Sequence, residues 1–287
     1  MKLHDLIGLS KERLSEIYDR DEAAAIIRLW ISDRFEVGLN EINAIGDQSL
    51  PDHQVELLKA DLDKLSNGVP VQQVSGVAWF CNLPFHVTPD VLIPRPETEE
   101  LLYLLMDEMQ DEPLKILDVC TGSGCIAVTL KNKFPQTSVF GCDISFDALM
   151  VAKRNAEKHN ADVEFLWTDV AEGIWEGLSN EKFDIIISNP PYITSIEALS
   201  MHKNVLDNEP HIALFAPDDD PLIFYSQILI YSREHLNEGG SVWFEVNKGF
   251  ADEIARMMKG FGFVEVAVEN DISGNPRFVS GFFPQYS

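Results

Sequence analysis

Phe183-Asp184-Ile185-Ile186-Ile187-Ser188-Asn189-Pro190-Pro191-Tyr192 is the stretch that decides the fold class. A β-branched run of this length ending in turn residues reads as a buried parallel strand, stopped by two prolines. In an open α/β sheet, ligands bind at that carboxyl edge. The last four residues also carry a defined chemistry. Pro190 and Pro191 lack an N–H and keep their carbonyls free as acceptors, Asn189 adds an amide oxygen, and Tyr192 adds a flat stacking face. Such a set suits a planar NH2 group whose two hydrogens each find an acceptor, leaving the nitrogen aimed out of plane at an electrophile. A rigid turn after a strand is the plainer reading of the same tetrad.

Working outward, strands and helices alternate after Pro113, with strands expected over 115–119, 138–142, 163–166, 183–188, 241–246, 263–268 and 277–283. Helical patterns lie between most of them, including 222–236 and 250–261. This pattern predicts an α/β fold with a doubly wound, seven-stranded sheet. The last two runs lie too close for a helical crossover, so the seventh strand is expected antiparallel beside the sixth. Residues 1–69 show helical periodicity instead: Leu14, Ile17 and Tyr18 share a face, as do Ile26, Ile27, Trp30 and Ile31, and Val55, Leu58, Leu62 and Leu65. Asp21 and Pro51 stand where helix starts are expected. A small helical domain follows, its faces serving packing or recognition of a partner. Residues 70–95 change to period two and read as a β-hairpin linker with its turn at Asn82. The third domain is 96–287. At its entrance Arg95 lies between Pro94 and Pro96, beside Glu97. That segment is more rigid than a linker needs, which makes Arg95 and Glu97 substrate-binding candidates; a helix cap with a surface pair is the alternative.

Asp118-Val119-Cys120-Thr121-Gly122-Ser123-Gly124 follows the first strand of the sheet and opens a helix. Gly122 and Gly124 allow a sharp turn and close backbone approach to a ligand, and the helix start offers free N–H groups. With Ala127 the loop also satisfies G-x-G-x-x-A, and Asp143 follows at about the 20-residue spacing of a ribose-binding acid. A nicotinamide enzyme and an S-adenosylmethionine enzyme share those features. Asp118 favours the second, because a carboxylate at the loop's entrance repels a pyrophosphate and attracts the ammonium of a methionine moiety. The tetrad favours it too, supplying acceptors for an NH2 group and nothing for hydride transfer. Asp169 is placed to accept from an adenine amino group, with Val170 against the ring; a helix cap is the alternative for Asp169.

The chain has 287 residues, 45% of them hydrophobic, and a formal charge of −25 from 22 basic and 47 acidic residues. That charge disfavours a nucleic-acid partner and favours either a basic protein partner or solubility alone. No apolar run reaches the roughly 20 residues of a bilayer span, and the first residues lack a signal-peptide layout, so a cytoplasmic protein with no membrane partner is expected. Cys81, Cys120, Cys125 and Cys142 form no C-x-x-C pair; small buried thiols are expected rather than a metal site or disulfides.

The loop Asp118-x-x-Thr-Gly-Ser-Gly, Asp143, Asn189-Pro190-Pro191-Tyr192-Ile193 and, above all, Leu92-Ile93-Pro94-Arg95-Pro96-Glu97-Thr98-Glu99 resemble the peptide chain release factor glutamine methyltransferases, the HemK/PrmC family. The resemblance covers almost the whole chain. It implies a Rossmann-like sheet, S-adenosylmethionine as cofactor, and N5 methylation of the glutamine in the Gly-Gly-Gln motif of class I release factors by a monomer, with the amino-terminal domain recognising the substrate. Cofactor contacts would fall on Cys120, Thr121, Gly122, Ser123, Gly124, Asp143, Val170 and Asn189, beside the Asp118 and Asp169 already read from the residues. Substrate contacts would fall on Asn189, Pro190, Pro191 and Tyr192, with Asn189, Pro190 and Tyr192 catalytic. Val170 stands where some relatives have an aromatic, and Glu245-Val246-Asn247-Lys248-Gly249 departs from the more usual Glu-x-Gly. The rivals are a ribosomal-protein glutamine methyltransferase, a nucleic-acid adenine-N6 methyltransferase and a non-enzymatic nucleotide-binding adaptor.

Overall fold

The computed structural model describes residues 1–109, 112–199 and 201–284. It divides into two units: Met1–Ala78 with Val87–Pro89 and His202–Asn208, and Trp79–His86 with Asp90–Met201 and the chain from Glu209 onward. The partition 1–69, 70–95 and 96–287 expected from sequence is contiguous, whereas these units are not.

The first unit holds α1 (Leu3–Leu14), α2 (Arg20–Phe35), α3 (Ile42–Ile45), α4 (Asp52–Ser66) and α5 (Val71–Ser75). Asp19, two residues before Asp21, caps α2 by accepting from the Asp21 and Glu22 N–H groups. Leu6, Leu14, Trp30, Ile31, Leu58 and Leu62 are fully buried. Beneath them lies one charged knot: buried Asp61 accepts from Trp30 Nε1 at 3.0 Å and from Arg34 at 2.6 and 3.0 Å, and Arg34 also donates to the Val74 carbonyl. A buried carboxylate is tolerable because every donor around it is used. Ile17 departs from its expected face and is 51% exposed, since α1 ends at Leu14 and the helical period no longer applies. The distant helix Lys203–Asn208 joins this unit through hydrogen bonds donated by side-chain amides, from Asn204 to the Tyr18 hydroxyl and from Asn208 to the Gly68 carbonyl. Polar contacts of that kind leave no hydrophobic periodicity in the sequence.

The hairpin is β1 (Val77–Phe80) and β2 (Leu83–His86), with Cys81 and Asn82 both at positive φ, the geometry of a tight two-residue turn. After it come α6 (Pro96–Glu108), β3 (Lys115–Val119), α7 (Cys125–Lys133), β4 (Ser138–Asp143), α8 (Phe146–Lys158), β5 (Val163–Trp167) and β6 (Phe183–Ser188). The short helices α9 (Ser195–Ala198), α10 (Lys203–Asn208, of the first unit) and α11 (His211–Leu214) precede α12 (Ile223–His235), β7 (Leu236–Glu245), α13 (Ala251–Gly260), β8 (Val264–Asn270) and β9 (Pro276–Phe282).

The sheet order is β5-β4-β3-β6-β7-β9-β8. β3 through β7 are parallel, and β9 is antiparallel to both β7 and β8. The antiparallel seventh strand lies beside the sixth, β8, as expected, and its other edge pairs with the fifth, β7. Alternate strand residues feed opposite faces: Leu117, Ile186 and Phe244 one core, Ile116, Ile187 and Trp243 the other. Helices cover both faces, so the strands read as continuous apolar runs. The strand order reverses between β3 and β6, and their carboxyl ends form the switch point where such folds bind ligands.

Candidate active site

At the end of β3 the chain turns back on itself within five residues. Cys120, Gly122 and Gly124 have φ of 61°, 53° and 78°, a left-handed path that glycine takes without strain and cysteine does not. Gly124 is also required by packing, because an added Cβ would lie 3.0 Å from the Ala152 Cβ of α8, while a Cβ on Gly122 would meet nothing within 4 Å. Asp118 braces the loop from below. Its Oδ2 accepts from Thr121 Oγ1 at 2.5 Å and from the Ala127 N–H at 3.2 Å, and its Oδ1 is buried without a hydrogen bond among the described residues. Burial pushes this carboxyl up to about 7, against the two hydrogen bonds that favour its charge.

Asp143 ends β4 and faces the same loop: Oδ2 accepts from the Gly122 N–H and Oδ1 from the Ser145 N–H, both at 2.9 Å. Its pKa is raised by burial, with the backbone donors opposing. Asp169, beyond β5, accepts from the Glu172 N–H at 3.2 Å. It therefore caps a turn and lines the cleft at once.

These ends line an open cleft. Of the residues expected from sequence, it is lined by Cys120, Gly122, Asp143, Asp169, Val170, Asn189 and Pro191. Asp118, Thr121, Ser123 and Gly124 do not line it: Asp118, Thr121 and Ser123 are buried and hold the loop's shape, the Ser123 carbonyl by accepting from Asn155 Nδ2. Asp118 is thus turned away from where a methionine ammonium was expected to meet it, drawn inward by the Thr121 hydroxyl. Phe224 of α12 and Ile212 of α11 complete the wall. Neither has a signal in the sequence, since both come from segments far from any strand end.

At the end of β6, Ser188 Oγ donates to the Val119 carbonyl at 2.7 Å and ties the two strand ends together. Asn189 Nδ2 donates to Thr98 Oγ1 at 3.0 Å, Thr98 Oγ1 donates to Glu245 Oε2 at 2.6 Å, and the Tyr192 hydroxyl donates to Glu245 Oε1 at 3.1 Å. Thr98 and Glu245 are the polar residues that sequence reasoning missed; Thr98 lies inside the proline-rich segment and Glu245 begins the segment that departs from Glu-x-Gly. Pro190 is buried beside them. Arg95 does not face the cleft. It pairs with the buried Glu209 at 2.6 Å, and the other Glu209 oxygen accepts from the Ile93 N–H at 3.1 Å, which pins the extended Ile93-Pro94-Arg95 path. Glu97, half-buried, is not among the lining residues either.

The curated relatives agree on one family. The curated release factor glutamine methyltransferase of Bacteroides thetaiotaomicron is 39% identical over 94% of this chain and 96% of its own length, and that of Flavobacterium psychrophilum 35% over 93% and 94%. The chain belongs to the release factor glutamine methyltransferases. The family described as methyltransferase small domain matches residues 100–211, which span β3 to β6 and hold most of the cleft. A methyltransferase crystal structure from Pyrococcus furiosus shares the fold at a TM-score of 0.52 and 20% identity, covering 72% of this chain and 91% of that one. The four cysteines are free, and among the described residues no cluster of His, Cys, Asp and Glu is arranged to hold a metal ion. No helix among those residues is long and apolar enough to cross a membrane.

Proposed function

We propose that this enzyme transfers a methyl group from S-adenosylmethionine to N5 of the glutamine in the Gly-Gly-Gln motif of class I peptide chain release factors, in the cytoplasm where translation terminates. The observation that carries the reading is Asn189. It shares the cleft with Asp143, its Nδ2 is committed to Thr98, and its Oδ1 takes no hydrogen bond among the described residues.

The cleft's residues fit S-adenosylmethionine, which when bound supplies an electrophilic methyl group. Asp143 keeps carboxylate lone pairs for ribose hydroxyls, Asp169 suits the adenine amino group, and buried Val170 offers an apolar surface to the ring. The backbone of Cys120 to Gly124 lets a ligand approach closely, and Asp118 with its unsatisfied Oδ1 lies beneath that loop. An amide nitrogen is a poor nucleophile because its lone pair is delocalised into the carbonyl. Asn189 Oδ1 and the Pro190 carbonyl, each accepting one N–H, orient that nitrogen and stabilise the positive charge that develops on it. The proton leaves after the methyl arrives, so no histidine is required. Tyr192, tethered to Glu245, packs on the amide plane.

The helical unit is proposed as the substrate-recognition part. It has its own core and contributes none of the residues lining the cleft. The deciding experiment incubates the enzyme with radiolabelled S-adenosylmethionine and, in parallel, release factor, total ribosomal protein, tRNA and DNA. Label on the release factor glutamine alone is expected. Label on a ribosomal protein or nucleic acid, with none on the release factor, would overturn the assignment.

A further inference from the structure

A carboxamide has two ends that do opposite work. Turned one way, Asn189 accepts a hydrogen bond from a substrate N–H; turned the other, its NH2 opposes that N–H, and the cleft loses an acceptor. The single hydrogen bond of the Asn189 side chain among the described residues goes to Thr98, 91 positions earlier, and not to the turn that carries it. Thr98 is 3% exposed and its hydroxyl has one hydrogen to give. Glu245, 1% exposed, receives that hydrogen on Oε2 and the Tyr192 hydroxyl on Oε1. A carboxylate only accepts, so the Thr98 hydrogen is committed and its oxygen can offer only lone pairs to Asn189. The NH2 end alone satisfies them. Burial raises the Glu245 pKa and Glu97 adds to the rise, while the Thr98 and Tyr192 hydroxyls and Arg277 favour the carboxylate.

We infer that Thr98 and Glu245 are positioning residues for methyl transfer: one buried carboxylate sets the direction of a hydrogen-bond chain that holds Asn189 with its oxygen toward the cleft and fixes Tyr192 at the same time. The inference rests on the proposed role of Asn189 and names what enforces it. Thr98 acts through Asn189 and touches no reacting atom. The buried middle of the chain, Thr98 and Glu245, also makes the arrangement stiff, because breaking a link there strands a donor or acceptor without water.

The test compares steady-state methylation of intact release factor by wild type, Thr98→Val, Thr98→Ser, Glu245→Gln and Asn189→Ala, with cofactor affinity measured by calorimetry. Thr98→Val keeps the shape and removes the acceptor, so kcat should fall about tenfold or more while KM and cofactor Kd stay within about twofold. Thr98→Ser restores the hydroxyl and should recover most of the lost kcat. Glu245→Gln, which can donate toward Thr98 and reverse the chain, should lower kcat in the same manner and decides the matter if Thr98→Val does not fold. Wild-type kcat in both variants, with Asn189→Ala impaired, would overturn the positioning chain and leave the role of Asn189 standing. Parallel losses in kcat, KM and cofactor Kd, with no recovery in Thr98→Ser, would also overturn it, as a structural role only. Full activity in Asn189→Ala would instead remove the reading on which the inference rests.

Discussion

The loop after β3 and the turn after β6 end neighbouring strands and line one cleft, yet they are held in different ways. The first is braced from nearby in sequence: Asp118 reaches Thr121 and Ala127, three and nine residues away, and Gly122 reaches Asp143, 21 away. The second is held from afar, by Thr98 and Glu245, which lie 91 residues from Asn189 and 53 from Tyr192 respectively. A local brace gives a loop whose shape travels with its motif, whereas a distant one makes the orientation of two side chains depend on the whole sheet. The β3 loop should therefore govern cofactor affinity and stability, and the β6 turn the rate of transfer.

The largest effect is expected at the β6 turn. Asn189→Ala should lower kcat by roughly 100-fold or more with cofactor affinity nearly intact, since the lost acceptor serves mainly the transition state; single-turnover kinetics would measure it, and an unchanged rate would break the comparison. The converse holds at β4. Asp143→Ala should weaken S-adenosylmethionine binding by on the order of 1.5–3 kcal/mol in calorimetry, with the fold retained and NAD giving no heat with either protein.

Asp118 sharpens the comparison through pH. Its folded pKa of about 7 lies above a carboxyl's ordinary 3.8, so the folded chain holds a proton that the unfolded chain releases across that interval. The stability this group contributes is full below the unfolded value and lost as pH rises through the folded one. Relative to Asp118→Asn, the wild-type protein without cofactor should thus lose about 2.5 kcal/mol between about pH 5 and pH 8. Urea unfolding of both proteins at the two pH values checks this, and parallel curves would mean that Asp118 is ionised in the fold. The smallest effect separates the two glycines. Gly124→Ala meets both a left-handed φ and the Ala152 Cβ at 3.0 Å, and should cost about 2 kcal/mol in thermal unfolding. Gly122→Ala meets only the φ and should cost about 1 kcal/mol.

Much of this was legible in the chain because it is written in short-range patterns. The apolar run ending at Ser188 marked the central strand, the glycines at 122 and 124 marked the turn after β3, and Asp143 fell at the spacing that brings it back to Gly122. These features follow from covalent limits and side-chain periodicity, so the sequence was enough for the parallel sheet and the edge where the cleft lies, and its motifs for the resemblance to the family. It did not determine which of its polar residues would meet. Arg95 is taken up by Glu209, Asp118 turns beneath its loop, Lys203–Asn208 joins the helical unit, and β9 inserts between β7 and β8. Apart from the local turn of Asp118, each of those outcomes is a long-range pairing of a polar group or a strand edge, chosen by which unsatisfied partners the packed chain brings within about 3 Å. Thr98 and Glu245 belong to that second class: the sequence singled out Asn189 but not these two, and buried as they are they find their hydrogen-bond partners only in the folded sheet.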